Sequence, residues 1–310
     1  MNAALETLTA DAYAALAGHG LFAHPAFLGP RCDPAALRFA QLRDTHGAPL
    51  CALVALRTPE ALDLRVQGSF ARPTFTRAPS LFEALALAEA LSAWARDDGA
   101  PAVSITLPPS VYGAWVDTLR FALRARGFVS ESLRLSPIVS VDALGTLNHG
   151  GGNLARNLRA LTARGMQVRL AEDLPTALDF VARYYEDRER AMSETPARLL
   201  ELRAAGLPVD VVEVAEGESR RFAGVFYRFD DIALYMFAGR DQTVRESLLA
   251  LALHRLPALL PVRFVDLGAA GWARPDFDFA GHPVVRFKEQ LRPLHQSRET
   301  LVYTVSPTPT

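Results

Sequence analysis

Two stretches decide how the fold reads. Ser80–Leu107, "SLFEALALAEALSAWARDDGAPAVSITL", and Val244–Gly268, "VRESLLALALHRLPALLPVRFVDLG", follow one pattern: an apolar run, a short connection and a strand. The runs are too long for strands and have helical spacing. Ser80 with Glu83 three residues later is a capping box, which marks a helix start. Glu89 interrupts the first run, and His254 and Arg255 interrupt the second. Both therefore read as amphipathic helices packed on a core, and neither is long enough to span a bilayer. Two copies of a helix-then-strand unit suggest two domains of one fold; the plainer alternative is that any two α/β domains share this rhythm.

Outward from the first stretch, "AALRFAQLRD", "APLCALVALRT" and "ALDLRVQG" read as strands, with a turn at His46-Gly47. "VYGAWVDTLRFALRARG" reads as a helix stopped by Gly127, and "LSPIVSVDA" as a strand. Around the second stretch, "NLARNLRALTARG", "PTALDFVARYYEDRERAM" and "TPARLLELRAAG" read as helices. "VDVVEVAEG", "RRFAGVFYRF" and "DIALYMFAG" read as three hairpin-linked strands, "PVVRFKEQLR" as a short helix and "TLVYTVS" as a last strand. The expected class is mixed α/β: two domains, each a mixed, largely antiparallel sheet flanked by helices. "GTLNHGGGN", the densest Gly/Asn run, reads as a linker over 145–153 between domains at 1–144 and 154–310.

The chain has 310 residues, half of them hydrophobic and 22% charged, enough for two cores. A formal net charge of −1 argues against a globally basic binder of DNA. Cys32 and Cys51 supply neither a disulfide framework nor a metal quartet. Glu6 and Asp11 stand where a signal peptide would be cationic or apolar, so a cytoplasmic protein without membrane insertion is expected. No G-x-S-x-G elbow or HExxH spacing appears, which disfavours a serine nucleophile and metal hydrolysis.

Of the 33 Lys+Arg, 33 − 1 = 32 are arginine, and Lys288 in "VVRFKEQL" is the exception. A compact ammonium is not interchangeable with a planar guanidinium, so the exception points to a site; a surface lysine left by chance is the alternative. "DLGAAGWARPDFDFAGHPVVRFK" gathers Asp266, Trp272, Arg274, Asp276, Asp278, His282 and Lys288 in one loop-rich stretch beside a strand. Asp278 or His282 can accept a proton there; turn chemistry explains Asp276 and Asp278 equally well, and a solvated loop explains His282. Arg188, Arg190 and Arg198 suit a phosphate or carboxylate, or a solvated helix face. Arg156 and Arg159, three apart, share a helix face, where they either clamp an anionic donor or line the domain seam.

Several elements come in a particular order: an Arg-rich helix ending in Gly165 and Val168, Ala223-Gly224 early in a strand, Tyr235 in the next, a long helix, Asp266–Gly268 and finally Phe287-Lys288. In that order the chain resembles the Fem-like branch of the GNAT acyltransferase superfamily, which carries two GNAT-type domains in one chain. The resemblance implies transfer of an acyl or aminoacyl group to an amine, by direct attack and without a covalent enzyme intermediate. It implies a co-substrate rather than a resident cofactor, either acyl-CoA or aminoacyl-tRNA, and a small-molecule or peptide amine as acceptor. It places Lys288 in the cleft beside the acyl group; with that activity in view, Tyr235, Arg240, Arg245, Arg156, Arg159 and Arg198 are the candidates for binding donor or substrate. The Gly-rich pyrophosphate loop of the acetyl-CoA branch is replaced by "QTVRESLL", which leaves a bare helix N-terminus with Arg245 to meet a phosphate. The long helical arm that some members use for tRNA is absent, which with the near-neutral charge tilts the expected donor toward a small-molecule thioester. The rival expectation is a binding or scaffold protein that keeps the fold without the chemistry.

Overall fold

The computed structural model describes residues 5–16, 21–66, 68–71, 73–149, 152–269, 271–272, 278 and 281–306, and the side chains of 271 and 272 are not described. The described residues form two compact units. The first holds those through Leu135, Trp272 and those from Gln296 onward; the second holds the rest. The chain carries, in order, β1 (Leu5–Leu8), α1 (Ala10–Ala14), α2 (Pro25–Leu28), β2 (Leu37–Arg43), β3 (Pro49–Arg57), β4 (Leu62–Asp63), β5 (Thr74–Phe75), α3 (Leu81–Asp97), β6 (Ala102–Leu107), α4 (Trp115–Ala125) and β7 (Val129–Ser140). It continues with α5 (Val141–Gly145), α6 (Asn153–Ala163), β8 (Met166–Leu170), α7 (Leu174–Glu186), α8 (Pro196–Ala204), β9 (Val209–Glu216), β10 (Ser219–Phe229), β11 (Ile232–Arg240), α9 (Leu248–Arg255), β12 (Phe264–Asp266), β13 (Gly271–Trp272), α10 (Pro283–Gln290) and β14 (Leu294–Thr304).

In unit one the strand order is β1-β2-β3-β4-β6-β14. α3 starts where the capping box placed it: Ser80 Oγ accepts from the Glu83 amide, and Glu83 returns a bond to the Ser80 amide. Its apolar residues, among them Leu87 and Leu91, join Ile105 and Leu119 in one core. The last strand of the chain, β14, belongs to this sheet, pairing with β6 from Glu299↔Leu107 to Thr304↔Ala102.

In unit two the order is β8-β9-β10-β11-β12, followed by the end of β7. α9 packs Leu248, Leu251 and Leu253 onto a core shared with Val212, Phe226 and Val265. Several arginines are structural here. Glu213 is almost fully buried and ion-paired to both Arg169 and Arg220, and Asp210 is held likewise by Arg203 and Arg228. Burying such carboxylates without partners would cost several kcal/mol, on the order of 3–5 for a broken buried pair.

Both decisive stretches fold alike. β4 and β6 pair parallel on either side of α3, and β11 and β12 pair parallel on either side of α9. Three local expectations need correction. The strand expected over "ALDLRVQG" is only Leu62–Asp63, because Val66 turns into the left-handed region at φ 45°. The helix expected from Val244 starts at Leu248, after a Ser247 cap. The expected boundary also moves: unit one ends at Leu135, 145–153 lies within unit two apart from Gly150 and Gly151, which are outside the described residues, and the chain returns to unit one at its end. A Gly/Asn run marks a turn as readily as a linker; here it separates α5 from α6.

Candidate functional site

The register of β11 and β12 builds the site. They pair at Ile232↔Phe264, Ala233↔Val265 and Leu234↔Asp266. β12 then ends while β11 continues to Arg240. The opposite edge of β11 carries a bulge, since Val225 pairs with Phe237 but Phe226 with Tyr235, which leaves Met236 over. An extra residue bends the strand and re-aims its side chains. The two strands therefore part as a fork at Tyr235 and Leu267.

Gly268 closes the crotch. Its φ of +73° is the left-handed conformation glycine adopts without strain, and a Cβ there would stand 3.7 Å from the Tyr235 carbonyl oxygen. Asp266 is fully buried and its Oδ1 accepts from the Gly268 amide at 2.8 Å. The Leu267 amide donates to the Pro137 carbonyl at 3.1 Å. Lys288, from α10, donates through Nζ to the carbonyls of Gly268 at 3.0 Å and Ala269 at 3.3 Å.

This corrects the expectation for Lys288. It was expected in the cleft beside the acyl group, but it is 7% exposed and its ammonium donates to main chain at the fork. α10 begins at Pro283, at the start of the short helix expected over "PVVRFKEQLR". Leu291 and Phe287 do share the core-facing side, which draws Lys288 inward beside them.

Aromatic side chains line the β11 arm. Phe226 and Tyr235 lie 5.6 Å apart, Tyr185 and Phe237 6.2 Å, and Tyr184 and Tyr185 5.8 Å. Burial, followed by the neighbouring Tyr185 and Tyr184, pushes the Tyr235 phenol well above its ordinary range. Tyr185 is raised too, by burial first and then by Tyr184. Both stay protonated at neutral pH, so they serve as donors and not as bases. α7 presses on this arm: a Cβ on Gly239 would lie 2.9 Å from Val181 Cα and 3.1 Å from the Phe180 carbonyl oxygen.

The other expected residues do not converge on the fork. Asp278 is exposed and its Oδ1 accepts from the Gly281 amide at 2.8 Å, which is turn chemistry. His282 is the exposed N-cap residue of α10, and its imidazole does not cap the helix. Trp272's side chain, Arg274 and Asp276 lie outside the described residues. Arg198 is the third residue of α8, 13% exposed and paired with Glu201. Arg188 stacks 3.7 Å over Tyr184 and bonds the Tyr184 carbonyl, while Arg190 is exposed. Arg240 donates to the Val244 carbonyl and lines an open groove of about 410 Å³ with Phe180, Arg183, Tyr184 and Asp187.

Arg245 is exposed and precedes α9 by three residues, and the N-terminus it was expected to assist is not bare. Ser247 Oγ accepts from the Ala250 amide, and Asp241 Oδ1 takes the Thr243 amide and hydroxyl. The β11–α9 loop thus spends polar groups on itself that a pyrophosphate cradle would offer to a ligand. Arg156 and Arg159 are exposed on α6, beside a second groove in unit two.

Unit one repeats the fork but fills it. After Leu62↔Val103 and Asp63↔Ser104 the chain leaves β6, then returns at Ala71, whose amide donates to the Thr106 carbonyl. The segment between brings in Phe70, which is fully buried and stacked 4.7 Å from Tyr112 and 5.2 Å from Phe22. Arg298, itself buried, sits over the Phe70 ring at 5.2 Å.

No protein-family model matches the chain, and no curated protein matches it. Solved structures do. FemX is 12% identical with a TM-score of 0.63, covering 96% of this chain and 97% of that one. The L-PGS of Bacillus licheniformis is 14% identical with a TM-score of 0.61, covering 94% and 89%. The fold is that of FemX and of this L-PGS. A conserved protein of unknown function from Bacteroides thetaiotaomicron shares the Fem-like fold, at 12% identity and a TM-score of 0.59, over 97% and 99% of the two chains. Sequence missed the buried partners of the fork, Asp266 as a turn anchor and Gly239 as a close approach. The Asp-x-Gly spacing of Asp266 and Gly268 was the turn signal for the first, and Gly239 carried no comparable one.

Proposed function

We propose that the chain is an acyl- or aminoacyltransferase working at the fork of unit two, passing an activated acyl group to an amine. The observation that carries this reading is the parting of β11 and β12 around a Gly268 turn tied down by Lys288 and Asp266. A parted pair of parallel strands leaves main-chain donors beside a gap, and fixed donors stabilise the oxyanion of an acyl transfer. In that setting Tyr235, kept protonated, is a donor toward the leaving group or carbonyl.

The donor we favour is an aminoacyl ester on tRNA over a CoA thioester. Support comes from the β11–α9 loop, whose Ser247 cap and Asp241–Thr243 bonds occupy the place of a pyrophosphate cradle. The structural neighbours support transferase chemistry by fold, and FemX and L-PGS are named for their own activities.

The test supplies a labelled aminoacyl-tRNA pool or a set of acyl-CoA thioesters, each with a mixed set of amines, and follows label by mass spectrometry. Protein-dependent movement of label from the ester to an amine supports the reading. Movement from the thioester alone reverses the donor assignment. A folded protein that uses neither donor leaves the binding or scaffold reading, which the filled fork of unit one also fits.

A further inference from the structure

Unit two carries a second concavity, a groove of about 580 Å³ walled by Thr146, His149, Asn153, Gln290 and Arg292 among others, with no carboxylate in its lining. Its size suits a small ligand, for which pockets run from ~300 to ~1,000 Å³. Two further arginines lie close by, Arg156 on a residue of its lining and Arg159 on the segment beside it. Arg156 bonds Asn153 Oδ1, and Arg159 Nη1 donates to the Asn148 carbonyl at 2.8 Å.

Two of these arginines stand where arginine is unfavourable for folding. Arg292 follows the C-cap of α10 with φ 53°, a left-handed position at which glycine or asparagine is the low-energy choice. Its guanidinium makes no hydrogen bond or ion pair with any described residue. Arg156 ends the first turn of α6, a turn without an acidic residue, and a cation there opposes the helix dipole. Residues that break local rules without an evident gain in stability point to function; Arg292 lines the groove, and Arg156 is bonded to Asn153 in its lining.

We propose that this groove binds a phosphate group, as a monoester or diester, through Arg156 and Arg292, with His149 in its lining. Guanidinium forks match phosphate oxygens in pairs, and several cations around one group suit phosphate better than a lone carboxylate. The site stands whether or not the fork is catalytic.

The experiment is calorimetric titration at low salt with three probes: glycerol phosphate, inorganic pyrophosphate, and phosphatidylcholine vesicles with and without phosphatidylglycerol. The proteins are the wild type, Arg292→Gly, Arg156→Gln and, as control, Arg263→Ala, an exposed arginine paired with Asp231. Saturable binding is expected, weakened about tenfold by each groove substitution and unchanged in the control. The melting temperature of unliganded Arg292→Gly should stay level or rise, since the left-handed position is relieved. Binding of the soluble probes assigns a free phosphate source, and binding only of phosphatidylglycerol vesicles assigns a lipid headgroup; either supports the site. The proposal is overturned if no probe binds saturably, if both groove variants bind like wild type, or if the control loses binding equally.

Discussion

Replacing Lys288 with Met keeps an unbranched stem and removes the ammonium. In the native structure that ammonium donates to the Gly268 carbonyl at 3.0 Å and the Ala269 carbonyl at 3.3 Å, from a side chain that is 7% exposed. A hydrogen bond from a charged donor contributes ~1.5–3 kcal/mol, and a buried carbonyl left without its donor costs ~1–3 kcal/mol. Against this, the variant no longer buries a charge, which returns part of a desolvation penalty. The balance is a loss of about 2–4 kcal/mol. For a cooperative unit of 150–250 residues each kcal/mol moves the midpoint ~2–4 °C, so the melting temperature should fall by about 4–16 °C. Lys288→Arg should also be less stable, because a planar fork does not fit a site shaped for a point donor. Differential scanning calorimetry measures both, and transfer activity should fall with them as the fork loosens. A Lys288→Met protein that melts within about 1 °C of wild type while losing activity would refute this: the lysine would then be a solvent-side catalytic charge and not a main-chain anchor.

Gly239→Ala should destabilise unit two by ~1–3 kcal/mol, the usual effect of overpacking, since its Cβ would press on Val181 Cα and the Phe180 carbonyl of α7; urea titration of the folded protein reads it. Glu83 has its carboxyl pulled down to about 2, chiefly by its bond to Arg77, despite some opposing burial. Its folded pKa is below the unfolded value of 4.5, so it contributes stability above that pH and loses it as pH falls toward 2. Glu83→Gln should flatten the acid side of the stability curve within that window, measured as melting temperature against pH, and leave the neutral plateau shifted by a constant amount.

Local chemistry made much of this molecule legible. The Ser80–Glu83 box named the start of α3 because both partners lie within one turn. The alternating run Val209–Glu216 and its two successors named β9 to β11, because a hairpin needs only near neighbours. What stayed hidden was non-local. Nothing in "TLVYTVS" tells that it pairs with Ala102–Leu107 almost 200 residues earlier, so the domain boundary was misplaced. The solitary Lys288 does reach the fork, but its burial follows from Gly268 and Ala269 offering carbonyls inward, a fact of the folded turn. Arg245 lies before the helix and not at its first turn because a one-residue cap, Ser247, sets the helix start four residues later than expected.

The most direct test of the central claim is hydrogen–deuterium exchange of the whole protein with and without a non-hydrolysable aminoacyl ester analogue, such as a 3′-aminoacylamido-adenosine. If the fork of unit two is the transfer site, bound analogue should slow exchange in peptides covering Ile232–Arg240 and Phe264–Ala269, and leave the filled fork around Leu62–Ala71 unchanged. Slowed exchange confined to unit one, or none at analogue concentrations that saturate binding, would contradict it.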